Sequence, residues 1–263
     1  MGRILMAALS LLLAIGPVYA SQDQVLELAA TGMLEVGPDG SVLDYDLETD
    51  LEPDVAALVD RTVRGWQFEP VLVDGEPVIA ATRMRLVLEA VPRGDEYALR
   101  VADVALGTPD PADIQPPVYP AAALENDIGA RVTLLLQVDA GGHVQDVHVE
   151  QVSLSDTAGK RTERFREDFA TASRDAALGW TYDMGELIDG EPMAARFRVP
   201  VTFAPRGANG WSEREDFIPG PRHPSPWTGT GQSDADPGPL EDGEMQPLDP
   251  RVKLRDEVVG TEL

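Results

Sequence analysis

The residues with the clearest chemical potential in this sequence are three histidines. His143 and His148 lie five residues apart on one predicted hairpin. Their side chains would therefore point to opposite faces of a regular strand and would not share a metal ion. His223 lies far away, near the C-terminus. Ordinary surface polarity explains each histidine better than a metal site, so no metal ligand is predicted.

A run of carboxylates between Asp44 and Asp50 is the second candidate, with Asp44 and Asp46 on one strand face. The spacing, the glycine and the glutamate of an EF-hand loop are missing, so a solvated face is the better interpretation. The chain also lacks a GxSxG serine motif, a phosphate-cradling glycine loop and an HExxH motif. No catalytic residue and no cofactor are predicted. A secreted enzyme that uses an unrecognised acidic site stays open as an alternative.

The composition excludes several classes of partner. The 263 residues include 46 acidic and 21 basic side chains, a formal net charge of −25. Nucleic acid is excluded, because phosphate binding needs clustered Lys and Arg. The absence of cysteine excludes disulfides, thiolate zinc sites and a cysteine nucleophile. Solubility explains the acidic excess, and a basic partner is the alternative.

The first twenty residues, MGRILMAALSLLLAIGPVYA, predict a secretory signal peptide. Arg3 precedes an apolar run, and Val18 and Ala20 supply the small residues of a cleavage site before Ser21. The alternative is a retained membrane anchor over residues 4–20.

After this segment, two zones, residues 21–106 and residues 119–204, show the same order of predicted elements. Each zone has a hairpin, a helix that ends in Gly-Trp, a turn with the sequence DGEP and a long strand. This repetition indicates an internal duplication. The Pro-rich stretch 107–118 predicts a linker. Residues 205–263 hold nine of the 22 prolines and show no periodicity, which predicts a disordered acidic tail.

Both helices show an apolar stripe that predicts packing on the hairpins. The first stripe ends at Trp66, and the second runs from Phe165 through Phe169 to Trp180. A tryptophan after each helix would close the helix–sheet core, and Asp-Gly supplies the positive φ of a tight turn. The predicted role of these residues is structural, and the predicted fold class is α+β.

The second zone resembles the C-terminal domain of TonB over about 119–203. The resemblance rests on YPAAALENDIGARVTLLLQVDAGGHVQDVHV, then ALGW, DGEP and RVPVTF. Its signature residues are Tyr119, Pro120, Gly142, Trp180, Gly190, Pro200 and Phe203. The first zone, about 31–90, is partly similar through Trp66, Phe68, Pro70 and Gly75.

The resemblance implies two TonB C-terminal-like domains, each an antiparallel sheet packed on a helix. It also implies function by contact, in which an exposed strand pairs with a segment of an envelope protein such as an outer-membrane transporter. The expected edge strand lies within 193–203, where Pro200 suits an edge. The expected partner-binding residues are Met193, Ala195, Arg196, Phe197, Arg198, Val199 and Val201.

Together these observations predict a periplasmic binding or adaptor protein linked to outer-membrane transport. If residues 4–20 stay attached, the alternative is an energy transducer anchored in the inner membrane. A homodimer formed by strand exchange also stays open.

Overall fold

The computed structural model describes residues 26–93, 96–157, 159–204, 217–227, 240 and 244–263. The predicted signal peptide lies outside the described residues. Within the described ranges, no helix combines the length and the apolar character that a membrane span requires.

The first half of the chain contains a hairpin, a helix and a long strand, as predicted. Its elements are β1 Leu26–Val36, β2 Val42–Leu47, α1 Pro53–Val63, β3 Leu72–Val73, β4 Glu76–Pro77, β5 Ala80–Arg93 and β6 Glu96–Leu106. Helix α1 begins at Pro53, where a missing N–H costs no hydrogen bond. After the helix, the Trp66 N–H donates to the Val63 carbonyl at 3.1 Å.

The second half repeats the hairpin, the helix and the long strand. Its elements are β7 Asp110–Asp113, α2 Ala121–Glu125, β8 Ala130–Val138, β9 Val144–Leu154, α3 Thr162–Ala177, β10 Thr181–Asp183, β11 Glu186–Ile188, β12 Glu191–Pro192, β13 Ala195–Phe203 and β14 Gln246–Pro247. A 3₁₀ turn over Gly159–Arg161 leads into α3. The Trp180 N–H donates to the Ala177 carbonyl at 3.1 Å, as Trp66 does to Val63.

Two antiparallel sheets organise most of these strands. In the larger, six-stranded sheet β2, β1 and β5 follow one another, β6 and β11 share the far edge of β5, and β12 pairs with β11. The smaller sheet has the order β14-β13-β8-β9. Mostly antiparallel sheet with few helices is compatible with the predicted α+β class. Because β11 and β12 belong to the zone 119–204, backbone pairing joins the two predicted domains.

Each sheet has its own apolar core under one helix. In the first core, Val59 and Val63 of α1 pack with Trp66 and Phe68. In the second, Phe165 and Phe169 of α3 pack with Trp180 and with Phe197 and Phe203 of β13. The predicted stripes are confirmed at Phe165, Phe169 and Trp180, all of which are buried.

One glycine in each half brings the hairpin turn against the residues that follow the helix. Gly40 and Gly142 have φ of +82° and +81°. The Phe68 N–H donates to Gly40 at 2.8 Å, and the Tyr182 N–H donates to Gly142 at 2.9 Å. An added Cβ would lie 2.1 Å from the Phe68 carbonyl oxygen and 1.9 Å from that of Tyr182. An internal duplication would produce such matched geometry, and the duplication stays a prediction.

The described parts of the C-terminal segment differ from the predicted disorder. Residues 217–227 and 244–263 contact both sheets, and Val252 and Val258 lie in the core of the first sheet. The linker also contributes a strand, since β7 pairs with β10. The sequence pattern misses these contacts because each one joins a short stretch to a distant part of the chain, which leaves no local periodicity.

We expect Gly142→Ala to destabilise the protein by about 3 kcal/mol or more, because the new Cβ adds a backbone clash to a left-handed φ. Gly190→Ala is the matched control, since its φ is +83° but no atom lies within 4 Å of an added Cβ. Its cost should be only about 1 kcal/mol. Urea unfolding of both variants checks the difference, and equal costs would contradict the close approach.

The packing of the C-terminal segment predicts a contrast between adjacent valines. Val258 is 7% exposed and Val259 is 53% exposed. Val258→Ala should lower the free energy of unfolding by about 1–3 kcal/mol through lost burial and a residual cavity. Val259→Ala should change it by less than about 0.5 kcal/mol. Chemical denaturation measures both, and a neutral Val258→Ala would contradict the observed packing.

Candidate partner-binding edge

Strand β13 lies next to the short edge strand β14 on one side of the smaller sheet, and β9 forms the opposite edge. Strand β13 pairs with β8 along its whole length, from Ala195 to Phe203. On its outer side, Phe197 pairs with Pro247 and Arg198 with Gln246 of β14. The Leu248 N–H extends this pairing by donating to the Arg196 carbonyl at 2.8 Å. The outer edge of β13 is therefore where a separate short segment already adds to the sheet.

The predicted edge residues divide between the two faces of β13. Phe197, Val199 and Val201 are buried in the core under α3. Because side chains alternate along a strand, Arg196 and Arg198 lie on the opposite face. The three apolar side chains therefore support the core, and the backbone groups of these residues face β8 and not the outer edge. Arg196 and Arg198 are the two side chains of this set that can contact the side chains of a partner.

Two predicted edge residues lie at the margin of this site. Ala195 is the first residue of β13 and packs partly against the core. Met193 precedes the strand, and its N–H donates to the Glu186 carbonyl at 3.0 Å. Met193 therefore belongs to the turn that follows β12 and not to the edge itself.

Pro200 interrupts the edge without interrupting the sheet. Arg196 directs its carbonyl outward to Leu248, and alternate residues of a strand direct their backbone groups to the same side. Pro200 therefore turns its ring nitrogen outward, and its missing N–H removes no bond to β8. A strand that adds beyond Arg198 finds an acceptor but no donor at this position.

The signature residues have structural positions. Trp66, Phe68, Trp180 and Phe203 are buried, and Pro70 is partly buried. The Tyr119 hydroxyl donates to the Ile128 carbonyl at 2.8 Å, and burial raises the pKa of Tyr119 to about 12.

The remaining signature residues shape the backbone. Pro120 directly precedes α2 as its N-cap. Gly75 and Gly190 follow Asp74 and Asp189 in the two DGEP turns, and all four residues have positive φ, as predicted for tight Asp-Gly turns.

Sequence reasoning missed the charged group that organises the outer face of the smaller sheet. Glu150 of β9 is 5% exposed. Arg198 donates to it through Nε at 2.7 Å and through Nη2 at 2.9 Å. Arg222 donates through Nη2 at 2.9 Å. The only sequence signal is one glutamate among several polar residues of β9, and that signal does not identify its partners.

The local electrostatics keep Glu150 ionised. Burial acts to raise its pKa, but hydrogen bonds and charge from Arg198 and Arg222 outweigh burial and hold the pKa below its usual value of 4.5. A bidentate pair with Glu150 also fixes the orientation of Arg198 and directs its third donor, Nη1, to Gln246 Oε1 at 2.6 Å.

Residues 217–227 of the C-terminal segment run along β9 and reach β13. Ile218 and Leu154 exchange two backbone hydrogen bonds, and the His223 N–H donates to the Glu150 backbone carbonyl at 2.7 Å. The Trp227 carbonyl then accepts from Arg196 Nη1 at 2.7 Å. His148 lies here, with its Nε2 atom 2.9 Å from the His223 carbonyl. His143 is separate, close to Asp139 at the hairpin turn.

A cavity of about 290 Å³ opens beside the start of β13. Arg196 Nε contacts Asp249 Oδ2 in this region at 2.9 Å. Charged groups of both signs therefore line the cavity, from Asp139, Arg196, Asp249 and Arg251. Across the described ranges, no group of three His, Cys, Asp or Glu side chains is arranged to hold a metal ion.

We expect Glu150→Gln to destabilise the protein by on the order of 3 kcal/mol at neutral pH, because Arg198 loses its buried carboxylate partner. A depressed pKa stabilises the fold above pH 4.5, and that stabilisation is lost as the pH falls through the folded pKa. The wild type and the variant should therefore converge in unfolding free energy in acid. Urea unfolding at neutral pH and at successively lower pH values below 4.5 measures this convergence.

The matched control is Glu163→Gln, because the Glu163 carboxylate pairs with Arg166 but is 74% exposed. This change should cost less than about 1 kcal/mol. A loss at Glu150 that does not change with pH would contradict the electrostatic explanation.

Comparison with known proteins supports a TonB-like domain in this chain. Over 92 residues, 35% of the chain, the sequence is 35% identical to the protein TonB of Xanthomonas campestris pv. campestris strain B100. The TonB of strain ATCC 33913 of this pathovar gives the same identity and coverage. The match covers 36% of either protein, so the chain spans about a third of the length of these curated relatives. No family model matches the chain, and no solved structure matches it.

Proposed function

We propose that this chain is a periplasmic TonB-like binding or adaptor protein that captures an extended segment of an envelope partner by strand addition to β13. The partner is linked to outer-membrane transport. The observation that carries the proposal is the pairing of β13 with β14, because this edge accepts a short antiparallel segment through backbone hydrogen bonds.

In strand addition, backbone hydrogen bonds supply the affinity and side chains supply the specificity. Backbone hydrogen bonds along Arg196 and Arg198 bind an extended segment of almost any sequence, whereas the outward side chains select among such segments. The interruption at Pro200 favours a partner that is short or that continues past this residue without pairing. The role is one of recognition, with no catalytic group required.

Strands β5 and β2 of the first sheet are poorer candidates for strand addition. In the first sheet, β5 pairs with β1 on one side and with β11 and β6 on the other. Strand β2 lies at the edge of that sheet but carries exposed Asp44 and Asp46. Charged residues on an edge strand disfavour further pairing. We therefore assign the first domain a supporting role and the second domain the contact with a partner.

The relatives named TonB favour a second candidate, an energy transducer anchored in the inner membrane. In that case residues 4–20 stay in the membrane and the same β13 edge contacts a transporter. The two functions share the recognition site and differ in the fate of the bond between Ala20 and Ser21. N-terminal sequencing of the protein from fractionated cells distinguishes them.

Site-directed cross-linking tests the proposed function. Because the chain has no cysteine, Ala194→Cys introduces a unique thiol at an exposed position directly before β13. A benzophenone maleimide on this thiol should capture an outer-membrane protein from envelopes of cells that produce the protein. Photocapture is expected to exceed that of the controls at least about fivefold, because the probe lies within one side-chain length of an added strand.

Two matched controls place the same probe on other surfaces. Leu178→Cys lies just after α3 and Leu43→Cys lies on β2, where the native side chains are 49% and 46% exposed. Equal capture from all three positions, or stronger capture from Leu43→Cys, would refute recognition at β13.

A further inference from the structure

The segment that pairs with β13 belongs to this chain and uses polar contacts. Gln246 Oε1 accepts from Arg198 Nη1 at 2.6 Å. Asp249 Oδ2 lies 2.9 Å from Arg196 Nε. The Leu248 N–H donates to the Arg196 carbonyl at 2.8 Å. One amide and one carboxylate therefore pair with the guanidinium groups of Arg198 and Arg196, and one backbone N–H pairs with the Arg196 carbonyl.

The attachment of residues 246–249 is local, whereas the chain beyond them is anchored. Val252 is 1% exposed in the first core, and its N–H donates to the buried Glu186 carboxylate at 3.0 Å. By contrast, β14 has two residues, both partly exposed. Such a segment can leave the edge while Val252 keeps it close by.

The edge is rich in arginine within an acidic chain. Arg196 and Arg198 lie on one strand face, and Arg251 lines the cavity next to Arg196. Glu150 accepts from two of the three guanidinium nitrogens of Arg198, and the third nitrogen donates to the segment that occupies the edge. Guanidinium groups held in this way prefer carboxylate and amide oxygens.

We propose that residues 246–249 are a displaceable internal ligand, and that the partner segment which replaces them is extended and acidic. It would present a carboxylate or amide oxygen to Arg198 and a carboxylate to Arg196. This inference rests on the proposed function and adds the chemistry and the regulation of the same edge. The C-terminal segment and the partner compete, so the protein is closed until a matching segment arrives.

A peptide-binding experiment on the full chain tests the competition. The probe is a fluorescein-labelled peptide with the sequence of residues 240–251, LEDGEMQPLDPR. The double variant Gln246→Ala/Asp249→Ala weakens the internal ligand. It should bind the probe about tenfold more tightly than the wild type, because a tethered competitor acts at a high effective concentration.

Changes on either side of the contact test its chemistry. Arg196→Ala in the double variant should weaken probe binding about tenfold through loss of a charge-assisted hydrogen bond, with partial rescue by Arg196→Lys. Arg85→Ala, at an exposed arginine on β5, is the control that should leave binding unchanged. A probe with alanine at the Asp249 position should bind as weakly as the Arg196→Ala variant binds the native probe. Equal binding by the wild type and the double variant, or insensitivity to Arg196→Ala, would overturn the proposal.

Hydrogen exchange of the wild-type protein provides a test that needs no variant. The Leu248 amide should exchange through local opening, at least about a hundredfold faster than the Leu134 amide of the central strand β8, which lies between β13 and β9. Exchange of both amides at the same rate, by global unfolding, would make β14 a fixed strand and overturn displacement.

The peptide experiment and the cross-linking experiment test different proposals, so a negative result in one does not decide the other. Peptide binding without capture at Ala194→Cys keeps the internal ligand but removes the envelope partner. Capture without competition keeps strand addition but removes the internal ligand.

Discussion

Glu150 imposes the constraint on which the smaller sheet, the C-terminal segment and the candidate edge depend. A carboxylate buried in a sheet must be neutralised by cations held in good geometry, because an unpaired buried charge costs several kcal/mol. Arg198 from β13 and Arg222 from the C-terminal segment supply that charge. One side chain of β9 thereby orients the arginine at the candidate edge and attaches residues 217–227 to the sheet.

The C-terminal segment acts mainly on the edges of strands. Ile218 pairs beside β9, Gln246 beside β13 and Glu262 beside β6. Edges present unpaired backbone groups that invite aggregation, and covering them is a common defence. Covering an edge and binding a partner at that edge are conflicting requirements. A covering segment must stay paired, whereas a binding edge must become free of it. The polar contacts of residues 246–249 and the apolar anchor at Val252 place these requirements on different parts of one segment.

The elements that the sequence predicts have local sequence patterns. The elements and contacts that it does not predict depend on pairing between distant parts of the chain. The Gly-Trp helix ends and the Asp-Gly turns leave signals within a few residues, so the helices and hairpins were predicted. Val252 and Val258 lie in a short stretch rich in charged residues, and only their distant partners make them core residues. The pairing of β11 with β5 likewise joins positions far apart in sequence. The edge strand was predicted from a resemblance, but its occupant and Glu150 were not, because neither has a local signature.

Net charge and local charge act at different distances in this molecule. The chain carries a net charge of −25, which repels an acidic segment at long range. Screening at physiological salt limits that repulsion to about 8 Å, whereas arginines in contact with an acceptor keep most of their interaction. Selection at β13 therefore depends on matching short-range hydrogen bonds and not on attraction by the field of the whole chain. A segment tethered at Val252 needs no such attraction, since tethering alone keeps its local concentration high. The acidic surface then discourages unmatched acidic chains, and under the proposed displacement the edge opens to a segment whose acceptors meet Arg196 and Arg198 together.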